Sequence, residues 1–282
     1  MRPYAFAGGT AVVTGAGSGI GEALTHGLAE RGSHLVLVDQ HADRLDRVRA
    51  GVLERHPEVG VTTVVADLSD HDATVALGTR LAAEHPGTTL LVNNAGVALA
   101  GDLAELELAE LEWLLEVNLR AVVSLTHGLL PVLLANPGSH LVVVSSIFGI
   151  FAMPGQVPYV TAKFAVRGFA EALRHELAGR VGVTVVHPGG VATRIAADAR
   201  AARRMDQALF EGARERLAPL LSISPEDAAA AILRGVSARR PRVLIGWVSA
   251  WVPDLLVRAL PGSYGRVLRL FAGSRFDLRR QR

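Results

Sequence analysis

The chain has 282 residues, half of them hydrophobic and 5% aromatic, with no cysteine. That length suits one large α/β domain plus a short appendage, and the balance of aliphatic over aromatic residues suits a parallel sheet wrapped in helices; disulfides, thiolate metal sites and a cysteine nucleophile are excluded. Formal net charge is +2, yet from Arg239 onward there are 10 Arg and 2 Asp, leaving about −6 for the rest, which argues against a nucleic-acid-binding body and marks a basic tail.

Met1 to Gly9 lack a basic region followed by an apolar run, so no secretory signal is visible and a cytoplasmic setting is expected. Thr10–Thr14 reads as a short buried strand and Gly19–Arg31 as a helix. His34–Val38 is the second strand, followed by a charged helix ending near His56. Further strands are expected at Val61–Ala66, Thr89–Val92, Leu141–Ser145 and Val181–Val186, with a last one at Val243–Ile245. Continuous apolar runs alternating with amphipathic helices predict a single-domain, doubly wound parallel sheet of the Rossmann type, helices on both faces, over residues 1–246. Arg194–Leu221 is helical in pattern, and Ser224-Pro225-Glu226-Asp227 is a strong helix start, with serine as N-cap and acidic residues in the first turn. Trp247–Leu260 is apolar but interrupted by Pro253, Asp254 and Arg258, below the ~20 residues of a membrane span. Residues 247–282 form a basic, apolar C-terminal extension.

Thr14-Gly15-Ala16-Gly17-Ser18-Gly19-Ile20-Gly21 joins the first strand to the first helix. Glycines there allow a sharp turn, close approach of a pyrophosphate and tight helix packing, while the helix N-terminus attracts the anion. Asp39 ends the second strand, where a carboxylate accepts hydrogen bonds from ribose hydroxyls and repels a 2′-phosphate, so NAD(H) is favoured over NADP(H). Arg44 is the nearby cation that could reverse this preference by folding back.

Twenty-eight of the basic residues are arginine; the only lysine, Lys163, stands four residues after Tyr159, one of three tyrosines. Residues four apart share a helical face. A nearby cation favours the phenolate, so Tyr159 is expected to become a usable acid/base. Ser146 lies just beyond the fifth strand, at the sheet edge where reactive groups gather, and its hydroxyl can steady a developing negative charge; Ser145 is the competing candidate.

With these residues in order, the chain resembles the short-chain dehydrogenase/reductase family over about residues 8 to 195. The resemblance makes Ser146, Tyr159 and Lys163 the catalytic serine, tyrosine and lysine, and Asn118 the helix asparagine that holds a relay water. It makes Asp67, with Leu68 beside it, the adenine contact. Asn93-Asn94-Ala95-Gly96 becomes the motif bordering the cofactor, and His187-Pro188-Gly189-Gly190-Val191-Ala192-Thr193 the loop that meets the nicotinamide through Val191 and Thr193. Lys163 would also bind the nicotinamide ribose. Arg120-Ala121 depart from the family's usual small residue and glycine, which puts local helix packing in doubt. Residues 194–222 fall where the family carries a variable substrate lid. No metal site is expected.

Ile147–Pro154 leads from Ser146 and is apolar, so a hydrophobic secondary alcohol or ketone of steroid, terpenoid, aromatic or fatty type is expected, unless Phe148, Ile150 and Phe151 are simply core. Two other readings stand beside this one: an NADPH-dependent 3-oxoacyl thioester reductase, disfavoured by Asp39, and a catalytically silent nucleotide sensor, disfavoured by the intact serine, tyrosine and lysine. A homodimer or homotetramer is expected. For the tail, packing as a lid or oligomer contact ranks above peripheral contact with anionic lipid.

Overall fold

A computed structural model describes residues 1–246 and 251–267. The first half runs β1 (Thr10–Thr14), α1 (Gly19–Ala29), β2 (His34–Asp39), α2 (Ala42–Arg55), β3 (Val61–Val65), α3 (His71–Glu84) and β4 (Thr88–Asn93). The second half runs β5 (Leu99–Ala100), α4 (Leu108–Leu115), α5 (Ala121–Ala135), β6 (His140–Val144), α6 (Val157–Glu176), β7 (Gly182–Pro188), α7 (Arg194–Ala197), β8 (Arg200–Ala201), α8 (Gln207–Leu217), α9 (Pro225–Ser237), β9 (Arg242–Ile245) and α10 (Val252–Ala259). Seven strands form one sheet in the order β3-β2-β1-β4-β6-β7-β9, every pairing parallel. This is the doubly wound architecture the apolar runs predict.

Successive residues of a strand point to opposite faces, and here both faces are covered. Val13 and Leu37 pack with Leu24, Leu28 and Ile232 on one side. Val12 and Val36 pack with Leu125, Leu129 and Val166 on the other. The central strands therefore have no polar alternation to show. Strand β6 begins one residue earlier than the apolar run suggests, because buried His140 joins it through a hydrogen bond between Nε2 and the Thr184 hydroxyl.

One stretch differs from expectation. Residues 194–221 are not one helix: β8 pairs with β5, Arg200 and Ala202 donating backbone N–H bonds to Ala98 and Ala100, and Asp206 then caps α8. Tertiary strand pairing overrides the helix-forming composition there. Across residues 108–135, α4 and α5 are joined by a π-helical turn at Glu116–Arg120. By length and composition this helix could cross a membrane. Its placement is that of a core element: Leu125, Leu129 and Leu133 are fully buried, and Gly128 meets Gly78 of α3 so closely that a Cβ there would lie 2.7 Å from the Gly78 carbonyl carbon. The segment Trp247–Leu260 falls partly outside the described residues; α10 is an eight-residue helix within it.

Candidate active site

The carboxyl ends of β1, β2, β4, β6 and β7 converge on one edge, and the predicted residues gather there. At β1, the turn after Thr14 is locked to β4. The Thr14 hydroxyl accepts N–H bonds from Asn94 and Ala95, both at 3.0 Å, while the Asn94 side-chain amide donates to the Thr14 carbonyl at 2.9 Å. Gly15 has φ +64, and a Cβ there would sit 2.9 Å from the Ala95 Cα. A Cβ on Gly21 would sit 2.0 Å from the Gly15 carbonyl. Both positions require glycine, one for its left-handed backbone and both for space. Ser18 is the N-cap of α1 yet makes no side-chain cap bond, so the first N–H groups of that 11-residue helix lack a side-chain acceptor. Buried Ile20 fixes the helix onto the core. This cradle of glycine, open helix donors and dipole has the chemistry a dinucleotide pyrophosphate needs.

Asp39 stands at the rim of the cradle. Its carboxylate accepts from Gly17 N at 2.9 Å and from His41 N at 3.0 Å. Arg44 does approach: its Cβ lies beside Gly17, but its guanidinium reaches Asp198 at 3.8 Å. Arg47, which sequence reasoning missed inside a charged helix, donates to the Gly17 carbonyl at 3.1 Å and pairs with Glu22. Beyond β3, Asp67 is exposed and holds Ser69 through N–H and O–H bonds, whereas Leu68 is buried in the core. Asp67 is not the cap of α3; Asp70 is.

Asn93 and Asn94 divide their work. Asn93 is buried and donates to the Thr126 hydroxyl of α5, while Asn94 locks the glycine turn. A Cβ on Gly96 would lie 3.0 Å from Asn118 Oδ1 and 3.4 Å from Lys163 Nζ, so Gly96 is the small residue that lets these two groups approach the same point. Asn118 is fully buried in the π turn and clamps Val97, accepting its N–H at 2.9 Å and donating to its carbonyl at 2.8 Å. Its neighbour Arg120 turns outward to Glu116 and Ala121 is buried, so the departure at these positions leaves the packing intact.

The predicted serine, tyrosine and lysine lie between β6 and α6. Lys163 is 3% exposed, and its Nζ donates to the Val144 carbonyl at 3.1 Å and sits 5.5 Å from the centre of the Tyr159 ring. Ser145 and Ser146 separate cleanly: the Ser145 hydroxyl donates to the Lys163 backbone carbonyl, away from the cleft, while the Ser146 hydroxyl accepts from Phe148 N and hydrogen-bonds toward Tyr159. The expected acidification of the phenol is reversed. Burial pushes Tyr159 up to about 12, with the Ser146 bond offsetting part of it. Burial likewise lowers Lys163 to about 8. Each charged form loses its water here, and that outweighs their mutual attraction.

His187, quoted in the sequence only as the start of a loop motif, has a larger part. It is fully buried, and Nδ1 lies 2.9 Å from the Ser146 carbonyl. A carbonyl only accepts, so Nδ1 carries the proton and the ring is held in one tautomer. Pro188 follows and has no N–H to offer, so a side chain supplies the donor. Burial lowers the His187 pKa to about 4, so the ring is neutral. Gly189, buried, donates to the Ile245 carbonyl. Val191 bridges to Ile223, and Thr193 N-caps α7 beside Gly19, so the loop beyond β7 borders the glycine turn.

The apolar wall splits. Ile150 and Phe151 are buried as core, whereas Phe148 stacks edge-on against both Phe151 and Tyr159, with ring centres 5.4 and 6.1 Å away. A second cluster, unforeseen from sequence, joins Val97, Leu99, Trp113, Ala202 and Met205, and Tyr159 packs against it. Its members come from four separated stretches, which no local pattern links. Among the described residues no cluster of potential metal ligands is present.

The family model for short chain dehydrogenases matches residues 9–204. The chain belongs to the short-chain dehydrogenase/reductase family. Relatives in that family include a Mycobacterium tuberculosis protein bearing the name oxidoreductase SadH, 40% identical over 272 residues, covering 93% of this chain and 95% of its own. Among solved structures, a Burkholderia phymatum short-chain dehydrogenase/reductase in complex with NAD superposes with a TM-score of 0.81 at 27% identity, over 92% of this chain and 95% of that one. A Sphingobium yanoikuyae short-chain dehydrogenase in complex with NADPH gives 0.76 at 26% identity, over 90% and 94%.

Proposed function

We propose that this chain is an NAD(H)-dependent oxidoreductase acting on a hydrophobic secondary alcohol or ketone. The observation that carries the reading is the meeting of Ser146, Tyr159 and Lys163 with an apolar cluster on one side and the glycine cradle on the other. A bound nicotinamide supplies the hydride carrier. The Tyr159 hydroxyl is placed to give its proton to a carbonyl oxygen that the Ser146 hydroxyl would steady, while the nicotinamide would supply the hydride. Lys163, with its ammonium loosened to about 8, is the group from which the phenolate recovers a proton. A phenol pushed up to about 12 is a proton donor at neutral pH, which favours the carbonyl-to-alcohol direction there and makes alcohol oxidation climb with alkaline pH. Asp39 at the ribose rim supports NAD(H), and the nearby Arg44 guanidinium is engaged by Asp198 at 3.8 Å. Val123 and Leu134 of α5 and Phe164 of α6 are exposed, an apolar face suited to a second copy in a homodimer or homotetramer.

Initial rates with NADH and NADPH across a panel of apolar ketones and alcohols test the reading. Tyr159→Phe is expected to lower turnover on the order of 10²- to 10⁴-fold with dinucleotide affinity unchanged. Turnover that survives this substitution rejects the assignment. Tight NAD binding with no turnover of any member would favour a sensor, and preference for NADPH with acyl thioesters would favour the thioester reductase.

A further inference from the structure

Helix α10 wears its amphipathicity inside out. Its acidic residue, Asp254, is 6% exposed and held in a two-point ion pair by Arg242 of β9, at 2.7 and 3.1 Å, and by Arg258 of the same helix, itself exposed, at 3.1 Å. The opposite side shows Val252 at 51% and Leu255 at 61%, with Trp251 at 43% just before the helix and Leu260 at 40% just after it. Val252, Leu255 and Ala259 recur at helical spacing and make one outward stripe. A surface helix in water normally turns that stripe inward. The Arg242 pair fixes the rotation of α10, so the stripe cannot be buried by rolling the helix.

The sequence behind the helix says what would cover it. Residues 266–282 contain 6 Arg and 1 Asp, interleaved with Val267, Leu268, Leu270, Phe271, Phe276 and Leu278. A second copy is a poor occupant, because a two-fold contact sets each patch against its own image and would bring two arginine-rich stretches together. An anionic bilayer offers apolar depth and negative charge at once. We propose that α10 and the arginine-rich segment following it dock the protein peripherally onto membranes rich in anionic lipid. The same stretch touches the catalytic side: Ala152, in the loop that leads from Ser146, donates its N–H to the Tyr264 hydroxyl at 3.2 Å. The docked face therefore adjoins the apolar wall, the side from which a lipid-dissolved substrate would arrive.

The inference stands apart from the reading of activity, since lipid binding is measured without turnover. Full-length protein would be floated with phosphatidylcholine vesicles, with and without phosphatidylglycerol. Binding is expected only when phosphatidylglycerol is present, with release at high salt. Leu255→Glu is expected to lower the bound fraction roughly tenfold, the loss of one buried leucine. Its dinucleotide affinity and thermal unfolding should match the parent, because that side chain faces outward. Failure to float with anionic vesicles, or equal floating with neutral ones, overturns the proposal. So does a lipid-free dimer in sedimentation that Leu255→Glu dissolves, which would assign the stripe to a second copy.

Discussion

The two ends of the cleft are held by different kinds of bond. At the nucleotide end, Thr14 and Asn94 tie residues eighty positions apart and Asn93 reaches Thr126 of α5, all through buried or part-buried hydrogen bonds, and Gly15 and Gly21 admit no side chain. At the substrate end, the segment around β8 is strapped to α4 by exposed contacts: Arg203 to Glu107 at 3.2 Å, Arg203 N to Glu110, and Arg200 over the Trp113 ring. A buried polar group left without its partner costs far more than an exposed ion pair lost to water. One end is therefore over-determined and rigid, and the other is held by contacts that can be exchanged. Under the proposed function, this contrast would pair a fixed hydride geometry with an adjustable pocket.

The sharpest test of this contrast is Thr14→Val. It preserves shape but strands the N–H groups of Asn94 and Ala95, and should lower stability by about 2–5 kcal/mol and weaken dinucleotide binding with it. Denaturant unfolding that shifts by less than half of this would mean the turn is held elsewhere. Acid should strike the same buried layer. His187 and His140 are lowered by burial to about 4 and about 3, the latter also by the charge of Arg239. An unfolded histidine binds its proton near pH 6.5, so between there and about pH 4 the unfolded chain takes up more protons and stability falls as pH falls. For His187 alone this amounts to about 3 kcal/mol at about 1.36 kcal/mol per pKa unit. His187→Asn should flatten the fall of Tm with acid; an unaltered slope would place the sensitivity elsewhere.

The hydrogen bond from His187 to the Ser146 carbonyl makes it a positioning residue. His187→Leu should reduce kcat roughly 10- to 100-fold with the KM for dinucleotide unchanged, and His187→Asn, which keeps a donor, should recover most of it. Equal losses in both variants would show that only packing matters. Asp39→Ala should narrow the ratio of NAD to NADP use by roughly tenfold, the worth of charge-assisted bonds to a ribose. An unmoved ratio would pass that role to Arg44 or Arg47. The smallest change belongs to the substrate end, where Glu107→Gln should alter stability by less than about 1 kcal/mol and shift only the substrate KM. A large drop in kcat there would erase the distinction between the two ends.

The same contrast decides what could be read from the sequence. The glycine turn, Asp39, the Asn-Asn-Ala-Gly stretch and the Ser146, Tyr159 and Lys163 spacing are local patterns, and strand-to-helix geometry places them with little freedom. Their positions at the sheet edge follow from alternating apolar runs alone. The wall formed by Val97, Leu99, Trp113, Ala202 and Met205 was not legible, because those residues meet only after β5 and β8 pair. That pairing also broke the helix expected across residues 194–221. His187 gave no signal beyond its place before Pro188, since its role depends on where the Ser146 carbonyl points. The direction of the Tyr159 shift was missed for a related reason: charge can be counted along a chain, but depth below a surface cannot.

A protein with one lysine has a single side-chain amine, and here it is nearly sealed beside the reacting tyrosine. An amine-acylating label has no other lysine to react with, so its reaction there waits until the cleft breathes. Modification at residue 163 is thus a built-in clock for opening of the site, readable by mass alone, and a bound dinucleotide should slow it.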